Sequence, residues 1–503
     1  MNKSIAIITM AGEGKRFKEA GYFTYKPFLR INDKTLLDGV IKHYLDLDAI
    51  YIITTEKILK RNSEEFYKLP KKCSLITINE HKNGPAYSIF LAKGKLPENA
   101  HAFLAYCDVW WDHGDLLIHE IAKNSNPAIL VHSGFHPHLV EDNFSAFCKP
   151  DKQNRSQLFE IREKASFTDN WMEEQVSIGV FFFPKVKLLM KYVERLIKNK
   201  NLAAGEYYPS LIFNYLLEDN HKVDLIEVES YAHVGVPAQY EDIVSWANYQ
   251  AKKNNFSAPE VYETEYCMLL GGSGSRMRSV EKLPKHLMRI SDKSMYEIVI
   301  EMFGLKKISV VTYDKTFLPK IVNSYVERIP LTINSNSHLE TLLFASNNFK
   351  TDKSIFFLSC DCFGIFDYDY FNKLIFSENP PDGVIFSAKK TLLQTKLKGQ
   401  HTIIKGDDVG SLKGIDIKGR DNLIGDIMAG FFWFKSIDII LDMTYLVENV
   451  ENEELLVDHV IKALFMNKKR IMVVPLDFYI HLGTPNEFKE YIFWNNKGTK
   501  LIN

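Results

Sequence analysis

Ile7-Ile8-Thr9-Met10-Ala11-Gly12-Glu13-Gly14-Lys15-Arg16-Phe17, followed shortly by Tyr25-Lys26-Pro27-Phe28-Leu29-Arg30-Ile31, is the stretch on which the reading of the fold turns. A β-branched apolar run breaks into a glycine turn that carries an arginine, and a lysine returns just before a second apolar run. This pattern predicts a strand, an anion-binding loop and a second basic group. The same text recurs at Met268-Leu269-Leu270-Gly271-Gly272-Ser273-Gly274-Ser275-Arg276-Met277, followed by Pro284-Lys285-His286-Leu287-Met288-Arg289-Ile290.

The repeat can be followed outward from the loop. Gly12 and Arg16 pair with Gly272 and Arg276, Lys26 with Lys285, Asp108 with Asp361, Lys164 with Lys418, Gly179 with Gly430, Glu206 with Glu454, and Gly235 with Gly483. The offset drifts slowly from 260 to 248, as loop-length differences between two copies of one fold would produce. The expected domains are residues 1–248 and 264–503, with a polar linker over 249–263.

Within the first copy, Leu36–Leu47 has helical apolar spacing and Ile50–Thr54 reads as a buried strand. A strand at Leu75–Ile78, a helix at Tyr87–Lys93 and a strand at His101–Cys107 follow, the last ending at Asp108. The alternation predicts an α/β fold with a mostly parallel sheet flanked by helices, and ligands beyond the carboxyl ends of its strands. Further strands are expected at Pro127–His132, Gln175–Phe183 and Val223–Val228, and helices at Leu188–Lys198 and Pro209–Leu217.

The totals bound the function. A chain of 503 residues with 46% hydrophobic and 25% charged residues has material for two cores, and its formal charge of −1 excludes nucleic-acid binding through bulk charge. Six cysteines make neither a zinc-ligand spacing nor a disulfide framework, and Cys360-Asp361-Cys362 reads as a buried strand-end pair. No stretch is long and apolar enough for a membrane span, and the N-terminus lacks a leader pattern, so a cytoplasmic protein without membrane or nucleic-acid partners is expected. A homo-oligomer is compatible with these data.

A glycine turn admits backbone N–H groups close to a phosphate. The loop has neither the dinucleotide-binding nor the P-loop spacing. Arg16 and Lys26 are suited to the charge on a leaving pyrophosphate, and Asp108 to a Mg²⁺ bridging phosphate oxygens. Lys164, after Glu163, suits the phosphate of a second substrate, with Gly179 leaving room for it.

With these residues in place, the chain resembles the sugar-phosphate nucleotidyltransferases, each half covering one catalytic domain. Met10–Phe17 with Ala20-Gly21-Tyr22 and Lys26-Pro27 resembles in particular members that serve bacterial capsule and surface-glycan synthesis. The resemblance implies two tandem Rossmann-like domains. It implies nucleotide contacts at Ala11, Gly12, Gly14 and, in the Asn83-Gly84-Pro85 turn, Gly84; NTP-phosphate contacts at Arg16 and Lys26; Mg²⁺ at Asp108; and acceptor contacts at Glu163, Lys164 and Gly179. In the second copy the same roles fall to Gly271, Gly272, Gly274, Arg276, Lys285, Asp361, Lys418 and Gly430. The implied substrates are an NTP and a phosphorylated sugar or alcohol. The sequence departs from the family where a second metal-binding aspartate is usual, since His233 and His481 stand there, and where Ile417 precedes Lys418. A phospho-alcohol cytidylyltransferase and a second half serving only for binding or dimerisation are the alternatives. A glycosyltransferase is disfavoured because neither Asp108-Val109-Trp110 nor Asp361-Cys362-Phe363 supplies Asp-x-Asp.

Overall fold

The structure, a computed structural model, describes residues 3–112, 114–140, 145–252, 261, 263–270, 277, 284–290, 292–312, 325–331, 337–396, 399–447 and 455–502. The chain forms two compact units, Met1–Ala247 with Phe493–Asn503, and Asn248–Ile492. The C-terminal segment assigned to the second domain by its position in sequence thus belongs to the first unit. The helix Pro237–Lys252 also continues into the expected linker.

In the first unit the strands are β1 (Ser4–Thr9), β2 (Ala49–Thr55), β3 (Cys73–Ile78), β4 (His101–Tyr106), β5 (Val109–Asp112), β6 (Ala128–His132), β7 (Ala146–Pro150), β8 (Leu158–Glu163), β9 (Gln175–Phe183), β10 (Asp224–Glu227) and β11 (Ser230–His233). The main sheet runs β3-β2-β1-β4-β9-β6-β10, and β9 also carries the β7–β8 hairpin. The sheet is mixed. Pairings β1–β2, β1–β4, β2–β3 and β6–β10 are parallel, whereas β4, β6 and β7 meet β9 antiparallel. Strand β1 is buried on both faces, as a central strand must be, which explains its uninterrupted apolar run.

Ile5, Ile7, Ile53, Leu104, Ile129, Phe181 and Phe183 pack with Leu189, Val193 and Leu196 of the helix Val186–Lys198 in one core. The expected helix over Leu36–Leu47 forms as Leu36–Ile41, opened by a Thr35–Asp38 capping box, and tightens to a 3₁₀ turn over Lys42–Tyr44. The C-terminal segment seats Phe493 on His136 and Trp494 on Trp246 and His138, and its Lys500 forms ion pairs with Asp112 and Glu229.

In the second unit the strands are β12 (Thr264–Leu269), β13 (Lys307–Thr312), β14 (Tyr325–Pro330), β15 (Ser354–Leu358), β16 (Cys362–Phe366), β17 (Gly383–Ala388), β18 (Ile403–Gly406), β19 (Leu412–Asp416), β20 (Asp426–Phe434) and β21 (Ile471–His481). Their order is β14-β13-β12-β15-β20-β17-β21-β16, with the β18–β19 hairpin on β20. Strand for strand this repeats the first sheet, including the sense of each corresponding pairing. The single strand β21 does the work of both β10 and β11. No helix among the described residues is long and apolar enough to cross a membrane.

Candidate active site

Strand register brings the predicted residues of the first unit to one rim. Thr9 at the end of β1 pairs with Tyr106 at the end of β4, so the glycine loop and Asp108 are neighbours. Strand β9 runs back along β4, which puts its first half, with Gly179, at the same end. Ser177 pairs with Ala146, and Ala146 with Glu163, so the hairpin carries Glu163 and Lys164 there too. The ribbon β5–β11 pairs His233 with Val109, beside Asp108. A cleft of about 1310 Å³ results, lined by Ala11, Gly12, Gly14, Arg16, Lys26, Gly84, Asp108, Glu163, Lys164 and Gly179.

The loop is held by residues on both sides. Gly14 takes φ +65°, a left-handed conformation that glycine adopts without strain, at the start of the helix Lys15–Glu19. The Tyr25 hydroxyl donates to the carbonyls of Met10 (3.0 Å) and Gly12 (2.7 Å). Sequence reasoning missed Tyr25, because a tyrosine one residue before Lys26 carries no local signal of this latch. The Arg16 side chain is exposed on the cleft, and its guanidinium makes no ion pair among the described residues.

Lys26 and Asp108 form a buried ion pair through Nζ and Oδ2, and His233 Nε2 lies 3.5 Å from the same oxygen. Burial works against the Asp108 carboxylate, but Lys26 and His233 outweigh it and hold its pKa well below the usual range. Lys26 likewise loses to burial and gains more from Asp108, so its pKa is raised. Both groups are charged at neutral pH. Asp108 Oδ1 makes no hydrogen bond among the described residues.

Across the cleft, Lys164 sits at φ +57°, and its ammonium donates to the Tyr208 hydroxyl (2.6 Å), which donates to Glu206 (2.6 Å). Ser210 donates to Glu163 (2.6 Å), whose pKa burial raises. Tyr208, Glu206 and Ser210 come from a segment some forty residues downstream, and only Glu206 had drawn notice, as a landmark of the repeat. Gly84 takes φ +90°, and a Cβ there would stand 2.8 Å from Glu206 Cβ and from the Tyr207 carbonyl oxygen. At Gly179 (φ +83°) a Cβ would stand 2.5 Å from Tyr106 Cδ2. The Tyr106 ring thus occupies the position a Cβ would take, while Gly179 itself lines the cleft.

In the second unit Lys285 and Asp361 form the same buried ion pair, with His481 Nε2 3.6 Å from Asp361 Oδ2. Lys418 takes φ +55°, matching Lys164, and Gly430 precedes Phe431, which pairs with Leu358 at the end of β15. A Cβ at Gly430 would approach Cys362 Sγ at 2.8 Å. His481 differs from His233 in its backing. Its Nδ1 is 2.8 Å from Glu487 Oε2; burial would lower its pKa, but Glu487 and Asp361 raise it. Gly271, Gly272, Gly274, Arg276 and Glu454 lie outside the described residues. All six cysteines are free.

Comparison with known proteins bears on the first unit. Residues 6–160 match the family described as MobA-like NTP transferase domain. A sequence search among curated proteins finds no match. Solved structures that superpose on the chain include a nucleoside-diphosphate-sugar pyrophosphorylase from Vibrio cholerae RC9 (19% identity, TM-score 0.39, covering 47% of this chain and 98% of that one). They include also the inositol-1-phosphate CTP transferase from T. maritima (14%, 0.38, 48% and 92%) and a UDP-glucose pyrophosphorylase from Acinetobacter baumannii (16%, 0.39, 50% and 95%). Residues 6–160 lie within the first unit, and over that stretch the chain is similar to the MobA-like NTP transferase domains.

Proposed function

We propose that the first unit transfers a nucleoside monophosphate from an NTP to a phosphorylated sugar, or a similar small phosphate ester, releasing pyrophosphate. The product would be an activated precursor for a surface polysaccharide. The observation that carries this reading is the convergence of Arg16, Lys26, Asp108 and Lys164 on one cleft. Lys164 would hold the acceptor's phosphate. One of that phosphate's oxygens attacks the α-phosphorus as the bond from it to the bridging oxygen of the leaving pyrophosphate breaks. The attacking phosphate is already anionic at neutral pH, so no general base is required. Lys26 and Arg16 stabilise charge on the leaving group, and the Tyr25-latched loop holds the nucleotide; positioning and charge then supply most of the acceleration.

The residues fit Mg²⁺: Asp108 is ionised, and its Oδ1 is left over from the contacts with Lys26 and His233. A hard cation commonly takes one carboxylate together with phosphate oxygens and water. When bound, it would neutralise phosphate charge.

The second unit, by its Lys285–Asp361 pair and Lys418, is proposed as a second site of the same kind with a different acceptor, since Ile417 replaces Glu163. The test uses the full chain, because residues 493–503 belong to the first unit. Pyrophosphate release is followed with each NTP, Mg²⁺ and a panel of sugar phosphates and phospho-alcohols. Release with one acceptor, lost in Lys26→Ala and retained in Lys285→Ala, supports the assignment to the first unit. Absence of release across the panel sinks it, and release only with a phospho-alcohol selects the cytidylyltransferase alternative.

A further inference from the structure

His401, His481 and Glu487 of the second unit bring three metal-ligating side chains together away from solvent, each offering one ligand atom within 4.8 Å of the others. His401 precedes β18, His481 ends β21 and Glu487 lies in the first turn of the helix Pro485–Ile492. The Glu487 carboxylate is buried at 2% exposure, with Oε2 2.8 Å from His481 Nδ1 and Oε1 3.0 Å from His401 Nε2. The two imidazole rings lie 5.0 Å apart at 72°. Atoms that share a tetrahedral Zn²⁺ at its usual bond lengths stand ~3.3 Å from one another, so small side-chain adjustments would close this set around one ion. Thr484 donates to Oε2 (2.8 Å) and Gln394 to Oε1 (3.1 Å), outer hydrogen bonds of the kind that orient a ligating carboxylate.

A second observation comes from the duplicate. Glu487 stands where the first unit has Gln239, whose amide oxygen accepts from the backbone N–H of Gly235 (2.7 Å) and Val236 (3.2 Å). A neutral amide therefore suffices at this turn, and the second unit carries a buried negative charge beyond that need. Burying a carboxylate is costly unless a cation compensates it; the two imidazoles within 3.0 Å of Glu487 are the groups through which that compensation comes, as imidazolium or as ligands of a shared cation.

We propose that His401, His481 and Glu487 of the second unit form a binding site for a borderline divalent cation of the Zn²⁺ class, a cluster with no counterpart among the described residues of the first unit. Two imidazoles and one carboxylate are a ligand set that such an ion accepts, with a fourth position left open. The site adjoins the Asp361 corner, which His481 faces through Nε2 at 3.6 Å, but it uses the other ring nitrogen, Nδ1, and does not depend on the transfer reaction.

The test is metal content and Co²⁺ or Zn²⁺ titration of the full chain, purified without affinity metal and dialysed against a weak chelator. The expected result is one tightly held ion per chain, giving a tetrahedral visible spectrum with Co²⁺. Its affinity should fall by about 100-fold or more in His401→Ala and Glu487→Gln and stay unchanged in Gln239→Ala. Glu487→Gln nearly conserves shape, and its circular dichroism reports whether the fold survives. Two results overturn the proposal: a wild-type chain that holds no Zn²⁺ or Co²⁺, or full retention of the ion in both His401→Ala and Glu487→Gln.

Discussion

Asp108 and Asp361 occupy the same corner of two sheets with the same strand order. Each is paired with a lysine and faced by a histidine at nearly the same distance, 3.5 Å in the first unit and 3.6 Å in the second. Behind that corner the units part. Gln239 steadies a turn where Glu487 grips His481, Tyr106 fills the space beside Gly179 where Cys362 and Ser359 lie beside Gly430, and the Glu163–Ser210 pair has Ile417 as its counterpart. The corner follows from strand register, which the fold cannot change without losing its core. The residues behind it stand on loops and strand ends, where substitution costs little packing. A duplicated scaffold can thus keep one chemical grip while its neighbouring pockets diverge.

The sharpest way to break this comparison is to remove the shared grip from one unit at a time. Lys26→Ala should lower the first unit's turnover by about 10²–10³-fold, the loss expected when one charged stabiliser of a transition state is removed. Lys285→Ala should leave that activity intact. Steady-state pyrophosphate release by both variants, with thermal melts to confirm folding, checks the outcome. Equal losses in both would mean that the two units do not act independently.

How much of this was legible in sequence depends on the range of the interactions. The glycine loop, Lys26 and Asp108 are local signals: a β-branched run, a turn and a strand-end carboxylate. Strands β7 and β8 were not read, because Ala146–Pro150 is short and ends in Lys-Pro, and Leu158–Glu163 intersperses charges. The ribbon that sets His233 against Asp108 joins residues more than a hundred positions apart, and no local pattern encodes it. The same holds for the Lys164–Tyr208–Glu206 relay and for the return of Phe493 and Trp494 to the first unit. At Gly179 the sequence shows that space is needed but not that the Tyr106 ring occupies the position a Cβ would take.

That return separates the units in stability. Trp494 is fully buried against Trp246 and His138 of the first unit. Trp494→Ala should cost the first unit about 3 kcal/mol or more, the range for a large core truncation. Denaturant unfolding followed by tryptophan fluorescence should show an earlier first-unit transition; a matching shift in the second unit's transition would contradict the division of the chain.

The paired glycines offer a finer contrast. Gly179→Ala meets both a left-handed φ of +83° and the Tyr106 ring at 2.5 Å, whereas Gly430 lacks the left-handed φ and faces a cysteine sulfur at 2.8 Å. The first substitution should cost about 2–3 kcal/mol and the second about 1 kcal/mol less. Thermal melts of the two variants rank them, and the reverse order would show that Cys362 yields less readily than Tyr106.

The smallest difference lies in the glycine loops. Glu13 is where the second copy has Ser273. It accepts hydrogen bonds from Lys57 (2.6 Å) and Lys18 (2.9 Å), which pull its pKa from an ordinary 4.5 to about 2. A folded pKa below the unfolded value contributes stability that is present in full above about pH 4.5 and is lost as pH falls through about 2. The side chain is 48% exposed, so solvent screening keeps the contribution under ~1 kcal/mol. Glu13→Gln should therefore lower the first unit's melting temperature slightly at neutral pH and low salt, and this difference should shrink with added salt and vanish near pH 2. A difference that held constant from neutral pH to about pH 2 would mean that the two lysines do not grip Glu13 in solution.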